Sequence, residues 1–276
     1  MMGYLNLVDK FLIRARQALR RFSEQVILRQ DCLDSMSPIR SLKGRYTADP
    51  PQRYTDNIEI YVGRGGAVDL DADIADFVKD SENNSTDMAR FYMFRLICDQ
   101  VDKEKILGDV VEVGVYKGNT AVLLARYCRR SDRKLYLLDT FEGFESEDLV
   151  GVDQDQEMEF DDTSLEAVKD FVGTESVVFV KGRFPETASE LPVRRKYSIV
   201  HIDCDLYVPI IAALEYFYPR LVEGGFLMVH DYSSLWWPGA EQAVDEFFVD
   251  KPECIVPMPD ISGTIVVRKA RYPIVD

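Results

Sequence analysis

The chain has 276 residues with 33 basic and 48 acidic side chains, a formal net charge of −15 and 46% apolar content. That length can bury a substantial α/β core as one large domain with an extension, and that charge argues against general affinity for nucleic acid, whose phosphates need a cationic surface. Cys32, Cys98, Cys128, Cys204 and Cys254 are odd in number and lack C-x-x-C spacing, so they indicate neither a disulfide framework nor a zinc site and fit a reducing cytoplasm.

Residues 1–45 hold nine Lys/Arg against four Asp/Glu, and Leu5, Val8, Leu12, Ala15, Leu19, Phe22 and Val26 recur at three- or four-residue steps. This spacing predicts a basic amphipathic helix. Packing on the acidic body or on a second copy in a homo-oligomer is its commoner use, and peripheral contact with an anionic membrane is the other. No run approaches the roughly 18 apolar residues of a spanning helix, and the start lacks a signal-peptide core. The expectation is a soluble, cytoplasmic protein. Prolines and glycines between Pro38 and Gly66 mark connecting structure around a short strand candidate at 58–62. Helical spacing returns over 69–78 and 86–101. Residues 1–84 therefore read as an N-terminal helical extension, and 85–276 as the main domain.

The most informative stretch is Gly108-Asp109-Val110-Val111-Glu112-Val113-Gly114-Val115-Tyr116-Lys117-Gly118-Asn119-Thr120, an apolar strand that closes on an acid and runs through two glycines into a helix. Gly114 permits a tight bend, and Gly118 leaves room for a ligand at the helix start, where Asn119 and Thr120 lie. A dinucleotide fingerprint needs three glycines at G-x-G-x-x-G spacing, which is absent. The acid-x-Gly-x-x-x-Gly form instead resembles the loop with which class I methyltransferases hold S-adenosylmethionine. The next strand, 134–138, ends in Asp139, followed by Thr140 and Phe141. Asp139 falls where doubly wound folds place an acceptor for both ribose hydroxyls.

Further apolar runs at 177–180, 197–202 and 225–229 alternate with helical stretches, including the crossover helix 210–218. Continuous apolar runs signify parallel strands covered on both faces, and right-handed crossovers then give a doubly wound sheet. Segments 254–257 and 263–268 read as a closing antiparallel pair. Ligands bind outside the carboxyl ends of such strands, which places Glu112, Asp139, Gly182, Asp203 and Asp231 along one rim. Carboxylates gathered there repel one another unless a proton or a divalent cation intervenes. Hard oxygen ligands favour Mg²⁺ or Mn²⁺, which would hold a substrate hydroxyl and lower its pKa.

Over approximately residues 85–270 the chain resembles the macrocin O-methyltransferase family, which includes mycinamicin and novobiocin tailoring enzymes. The resemblance rests on 108–114, on Asp139-Thr140-Phe141-Glu142-Gly143-Phe144, on Lys181-Gly182-Arg183-Phe184-Pro185-Glu186-Thr187, on Asp203-Cys204-Asp205-Leu206-Tyr207, on Tyr218-Pro219 with Gly224-Gly225-Phe226, and on His230-Asp231-Tyr232. It implies a class I methyltransferase (Rossmann-like) fold and metal-assisted methyl transfer from S-adenosylmethionine to a hydroxyl, commonly on a sugar. On that likeness Glu112, Gly114, Gly118, Asn119, Thr120, Asp139, Thr140 and Phe141 fall on the donor site. Gly182 and Arg183 lie near the adenine, Asp203 borders donor and metal, and Asp205 matches the general base.

Asp203, His230 and Asp231 match the metal ligands, with one departure: the family usually has Asp-Asp-Tyr where this chain has His230-Asp231-Tyr232. Imidazole is a poor partner for Mg²⁺. His230 thus has three open roles: a ligand for a softer metal, the base of a metal-independent reaction, or a hydrogen-bond partner of a neighbouring carboxylate. A non-catalytic donor-binding subunit docked through the basic helix is the rival from another class. Residues 144–170 are strongly acidic, but Met158 and Ser164 stand where an EF-hand needs Gly and Glu, so they read as a lid over a small-molecule or glycoside acceptor, or as a solvated loop. Trp236 and Trp237 either stack on that acceptor or pack behind the helix that follows.

Overall fold

Three strands hide almost every side chain, and their register determines what happens at the rim. The computed structural model describes residues 87–271 apart from Met158, and from Ala89 onward these belong to one compact unit. The basic amphipathic helix and the candidates at 58–62 and 69–78 lie outside the described residues. Within them, α1 (Met88–Lys103) leads into β1 (Asp109–Val113), α2 (Asn119–Ser131), β2 (Leu135–Asp139), α3 (Leu165–Val172) and β3 (Val177–Lys181). The chain continues through β4 (Tyr197–Ile202), α4 (Tyr207–Phe217), β5 (Leu221–Val229), α5 (Pro238–Phe248), β6 (Val256–Pro257) and β7 (Ile265–Arg268).

The strands form one sheet in the order β3-β2-β1-β4-β5-β7-β6. The five strands from β3 to β5 run parallel, while β7 pairs antiparallel with β5 and β6 with β7. This is the doubly wound, mostly parallel sheet with a closing antiparallel pair that the apolar runs imply. The reversal of strand order lies between β1 and β4, where such folds open a ligand crevice.

Successive side chains alternate between the sheet faces. On one face Val111, Val113, Val200, Ile202, Leu227 and Val229 join Ile210, Leu214 and Phe217 of α4 and Val244 and Phe247 of α5 in a single core. The opposite face carries Glu112 and His201, side by side in the β1–β4 register, and the Phe94 ring of α1 meets His201 edge-on at 4.8 Å. Across the sheet Val113 pairs with Leu138 and Ile202, and Ile202 pairs with Val229. The next residues, Gly114, Asp139, Asp203 and His230, therefore leave the sheet at one level.

The acidic segment expected as a lid is partly pinned to the body. Asp153 is fully buried and accepts hydrogen bonds from the N–H groups of Tyr207 at 2.7 Å and Gly239 at 3.2 Å, the first turns of α4 and α5. Gln156 Nε2 donates to the Trp236 carbonyl at 2.7 Å. Trp237 is buried against Phe144 and Phe160, so that tryptophan fills the core. Replacing Asp153 by Ala orphans two N–H groups, that of Gly239 buried, and urea denaturation is expected to show a loss of about 2 kcal/mol or more. A change below about 0.5 kcal/mol contradicts that role.

Candidate active site

The glycine loop is organised by Asp139. Its Oδ2 accepts from the N–H groups of Val115 at 2.6 Å and Tyr116 at 2.9 Å, and its Oδ1 accepts from Phe141 N–H at 2.5 Å. Expected as a bidentate grip on a ribose, this carboxylate already serves three backbone donors and has one acceptor position left on Oδ1. Gly114 has φ 83°, and a Cβ there would meet the Asp203 carbonyl oxygen at 2.1 Å. The close approach that requires glycine is thus made by the β4 strand end. At Gly118, φ 85°, a Cβ would meet Val172 and Val168 of α3 rather than open space. The helix that follows starts with no side-chain cap on Gly118, which leaves its first N–H groups available to an anion.

Beside the loop, the strand ends of β4 and β5 bring Asp203, His230 and Asp231 together, with ligand atoms within 4.8 Å of one another. His230 Nδ1 lies 2.9 Å from Asp203 Oδ1 and 2.7 Å from Asp231 Oδ2. Arg90 of α1 reaches into the same cluster: its Nη1 is 2.6 Å from His230 Nε2, and its Nη2 is 3.3 Å from Asp203 Oδ2 and 3.1 Å from Thr120 Oγ1. Burial opposes ionisation of Asp203, yet His230 and Arg90 hold it well below the usual carboxylate range. Burial and Arg90 oppose protonation of His230, but Asp203 and Asp231 together raise it to about 9. Burial, then Asp231 and Asp203, push Asp205 well above the usual range, with a hydrogen bond to Asp231 adding to the effect.

Beneath this cluster Glu112 and His201 are almost completely buried and joined at 2.9 Å. Burial, then Asp203, raises Glu112, and burial pushes His201 down to about 3; both directions describe a neutral pair. Glu112 therefore sits under the loop. Four non-glycine residues on the rim hold left-handed backbone, Tyr116 at 49°, Phe141 at 55°, Asp205 at 62° and Asp231 at 63°, a strain that persists where surrounding structure over-determines it.

The family model described as Macrocin-O-methyltransferase (TylF) matches residues 80–269. The chain belongs to this family. It is 32% identical over 143 residues to 8-demethyl-8-(2,3-dimethoxy-α-L-rhamnosyl)-tetracenomycin-C 4′-O-methyltransferase of Streptomyces olivaceus, a match covering 46% of this chain and 53% of that protein. It is 27% identical over 172 residues to demethyldecarbamoylnovobiocin O-methyltransferase of Streptomyces niveus, covering 57% and 64%. The chain thus spans somewhat over half the length of these relatives. The structure of the O-methyltransferase NovP superposes with a TM-score of 0.60 at 22% identity, over 90% of this chain and 100% of that one, which establishes the class I Rossmann-like fold.

Two residues expected on the donor site make contacts within the protein. Arg183 makes a forked ion pair with buried Asp148, Nη2 to Oδ1 at 2.6 Å and Nε at 3.1 Å to both oxygens, and holds Glu186 at 2.8 Å. Its guanidinium is turned to the acidic segment. Thr140 closes a turn, donating to the Gly143 carbonyl at 2.6 Å, and Phe141 is buried. Gly182, φ 138°, donates its N–H to the Asp139 carbonyl, and Asn119 opens α2.

Arg90 is the site residue that the motifs do not reveal. Arg90 stands four residues before Phe94 and seven and eight before Ile97 and Cys98, so a charge interrupting the apolar stripe of α1 was its one available signal. Gly114→Ala is expected to lose at least about 1 kcal/mol from left-handed strain alone, with a further loss from the clash with Asp203. Wild-type thermal stability in this variant would contradict the packing of β4 against the loop.

Proposed function

We propose that this chain is an S-adenosylmethionine-dependent O-methyltransferase acting on a sugar hydroxyl of a glycosylated natural product or surface glycan. The observation that carries this reading is the single rim on which the uncapped start of α2, the loop held by Asp139, and Asp203, Asp205 and Asp231 all lie. Bound S-adenosylmethionine would supply a methyl group already activated by its sulfonium. Its chemistry fits: the first N–H groups of α2, around Gly118, Asn119 and Thr120, suit its carboxylate. The acidic rim suits its ammonium and sulfonium charges. The remaining acceptor position of Asp139 suits one ribose hydroxyl, and the Gly182 turn borders the same edge of the sheet. Two Streptomyces relatives, one of them named for a rhamnosyl compound, support a glycoside acceptor.

Asp205 is the base in this reading. Its proton affinity, raised by burial and by Asp231 and Asp203, suits the ionised carboxylate to take the acceptor's hydroxyl proton as oxygen attacks. Asp203 and Asp231 fix its surroundings, and alignment supplies most of the acceleration because the leaving group needs no protonation. The divalent ion expected from the sequence has no step here.

Titration calorimetry with S-adenosylhomocysteine is expected to show one site, and a glycoside panel with S-adenosylmethionine to yield a product heavier by one methyl group. Asp205→Asn is expected to lower turnover by about 100-fold or more while donor affinity stays within about threefold. Donor binding with no methylation by wild type on any glycoside would favour a non-catalytic subunit, and absence of donor binding would end the proposal.

A further inference from the structure

The nitrogen of His230 that faces the two carboxylates carries a hydrogen. In the neutral imidazole Arg90 is the reason: a guanidinium has donors and no acceptor, so at 2.6 Å from Nε2 it donates to that nitrogen's lone pair. The other nitrogen, Nδ1, then holds the proton and donates between Asp203 Oδ1 at 2.9 Å and Asp231 Oδ2 at 2.7 Å. A fully protonated imidazole would likewise have a hydrogen on Nδ1. A metal-ligating histidine has the opposite arrangement: a lone pair toward the ion, and its remote N–H given to a carboxylate, carbonyl or water. Here the remote position is occupied by a donor.

Charge leads to the same result. Asp203 Oδ2 lies 3.3 Å from Arg90 Nη2, so one of the two carboxylates that would neutralise a divalent ion is already paired, and the ion would sit close to a fixed guanidinium. The trio has the residue count of a metal site, but its hydrogen bonds do not fit one.

We propose that His230 Nδ1–H, oriented by Arg90, takes the place of the divalent cation in this chain, bridging Asp203 and Asp231 so that the site is assembled without metal. His230 and Arg90 are positioning residues: they hold the carboxylates of Asp203 and Asp231 side by side at the rim. The inference rests on the methyltransferase reading for its purpose, but not for its test.

The test reads metal uptake on the full-length protein. Free Mn²⁺, which gives a sharp six-line electron paramagnetic resonance signal, is titrated with metal-stripped protein, and Zn²⁺ and Mg²⁺ are followed by calorimetry. Wild type is expected to leave the Mn²⁺ signal unchanged and to bind S-adenosylhomocysteine equally with and without chelator. Two variants should create a site. Arg90→Gln offers an amide oxygen to Nε2–H and frees the Nδ1 lone pair, and His230→Asp restores a third carboxylate. Each is expected to bind Mn²⁺ at least about tenfold more tightly than wild type, and if one fails to fold the other still decides. Stoichiometric uptake of Mn²⁺, Zn²⁺ or Mg²⁺ by wild type, abolished in Asp203→Asn, overturns the proposal. So does failure of every folded variant to gain affinity. Loss of donor binding in wild type would sink the methyltransferase reading and leave the metal result standing.

Discussion

A carboxylate drawn largely out of water must be paired or it will not stay charged, and Asp203 is where this fold meets that constraint. Its backbone is fixed by the sheet: Asp203 N–H donates to the Val113 carbonyl at 2.7 Å, and its carbonyl fills the space that a side chain on Gly114 would take. Its side chain is fixed by Arg90 and His230. The same residue thus joins the glycine loop, the strand end of β5 and helix α1, which packs Phe94 on His201 directly below. Removing any one of these contacts alters the others, because they share one residue.

The acidic segment is attached to the same machinery by a second acid. Asp153 holds the first turns of α4 and α5, and these are the helices that follow Asp205 and Asp231 in the chain. Arg183, beyond β3, holds Asp148 in the same segment. A movement of this segment would be felt at the start of both helices, and through them at the acids of the rim. The acidic segment and the geometry of the carboxylates are mechanically linked.

Much of this was readable in the sequence, for definite reasons. Strands buried on both faces leave unbroken apolar runs, so β1, β2 and β4 are found nearly to the residue, and the crevice rule then places Asp139, Asp203 and Asp231 on one edge before any coordinates are known. What a side chain does with its hydrogen bonds is not encoded in that pattern. Asp139 sits where a ribose partner should, yet most of its acceptor capacity goes to the loop's own N–H groups. Gly114 marks a close approach, but the approaching group is the chain itself, 89 residues later. Arg90 has no motif, only a charge on an apolar stripe, and its meaning emerges when α1 is laid across β4 and β5. His230 was visible as a departure from the family pattern, whereas the choice among its roles depended on what lay behind its far nitrogen.

The most direct measurement is a crystal structure of the complex with S-adenosylhomocysteine, grown with Mn²⁺ and recorded with anomalous data. The account predicts the Arg90 guanidinium between His230 and Asp203, the imidazole bridging Asp203 and Asp231, and no anomalous peak among them. A peak ligated by His230 Nδ1, Asp203 and Asp231, with Arg90 turned away, would contradict it.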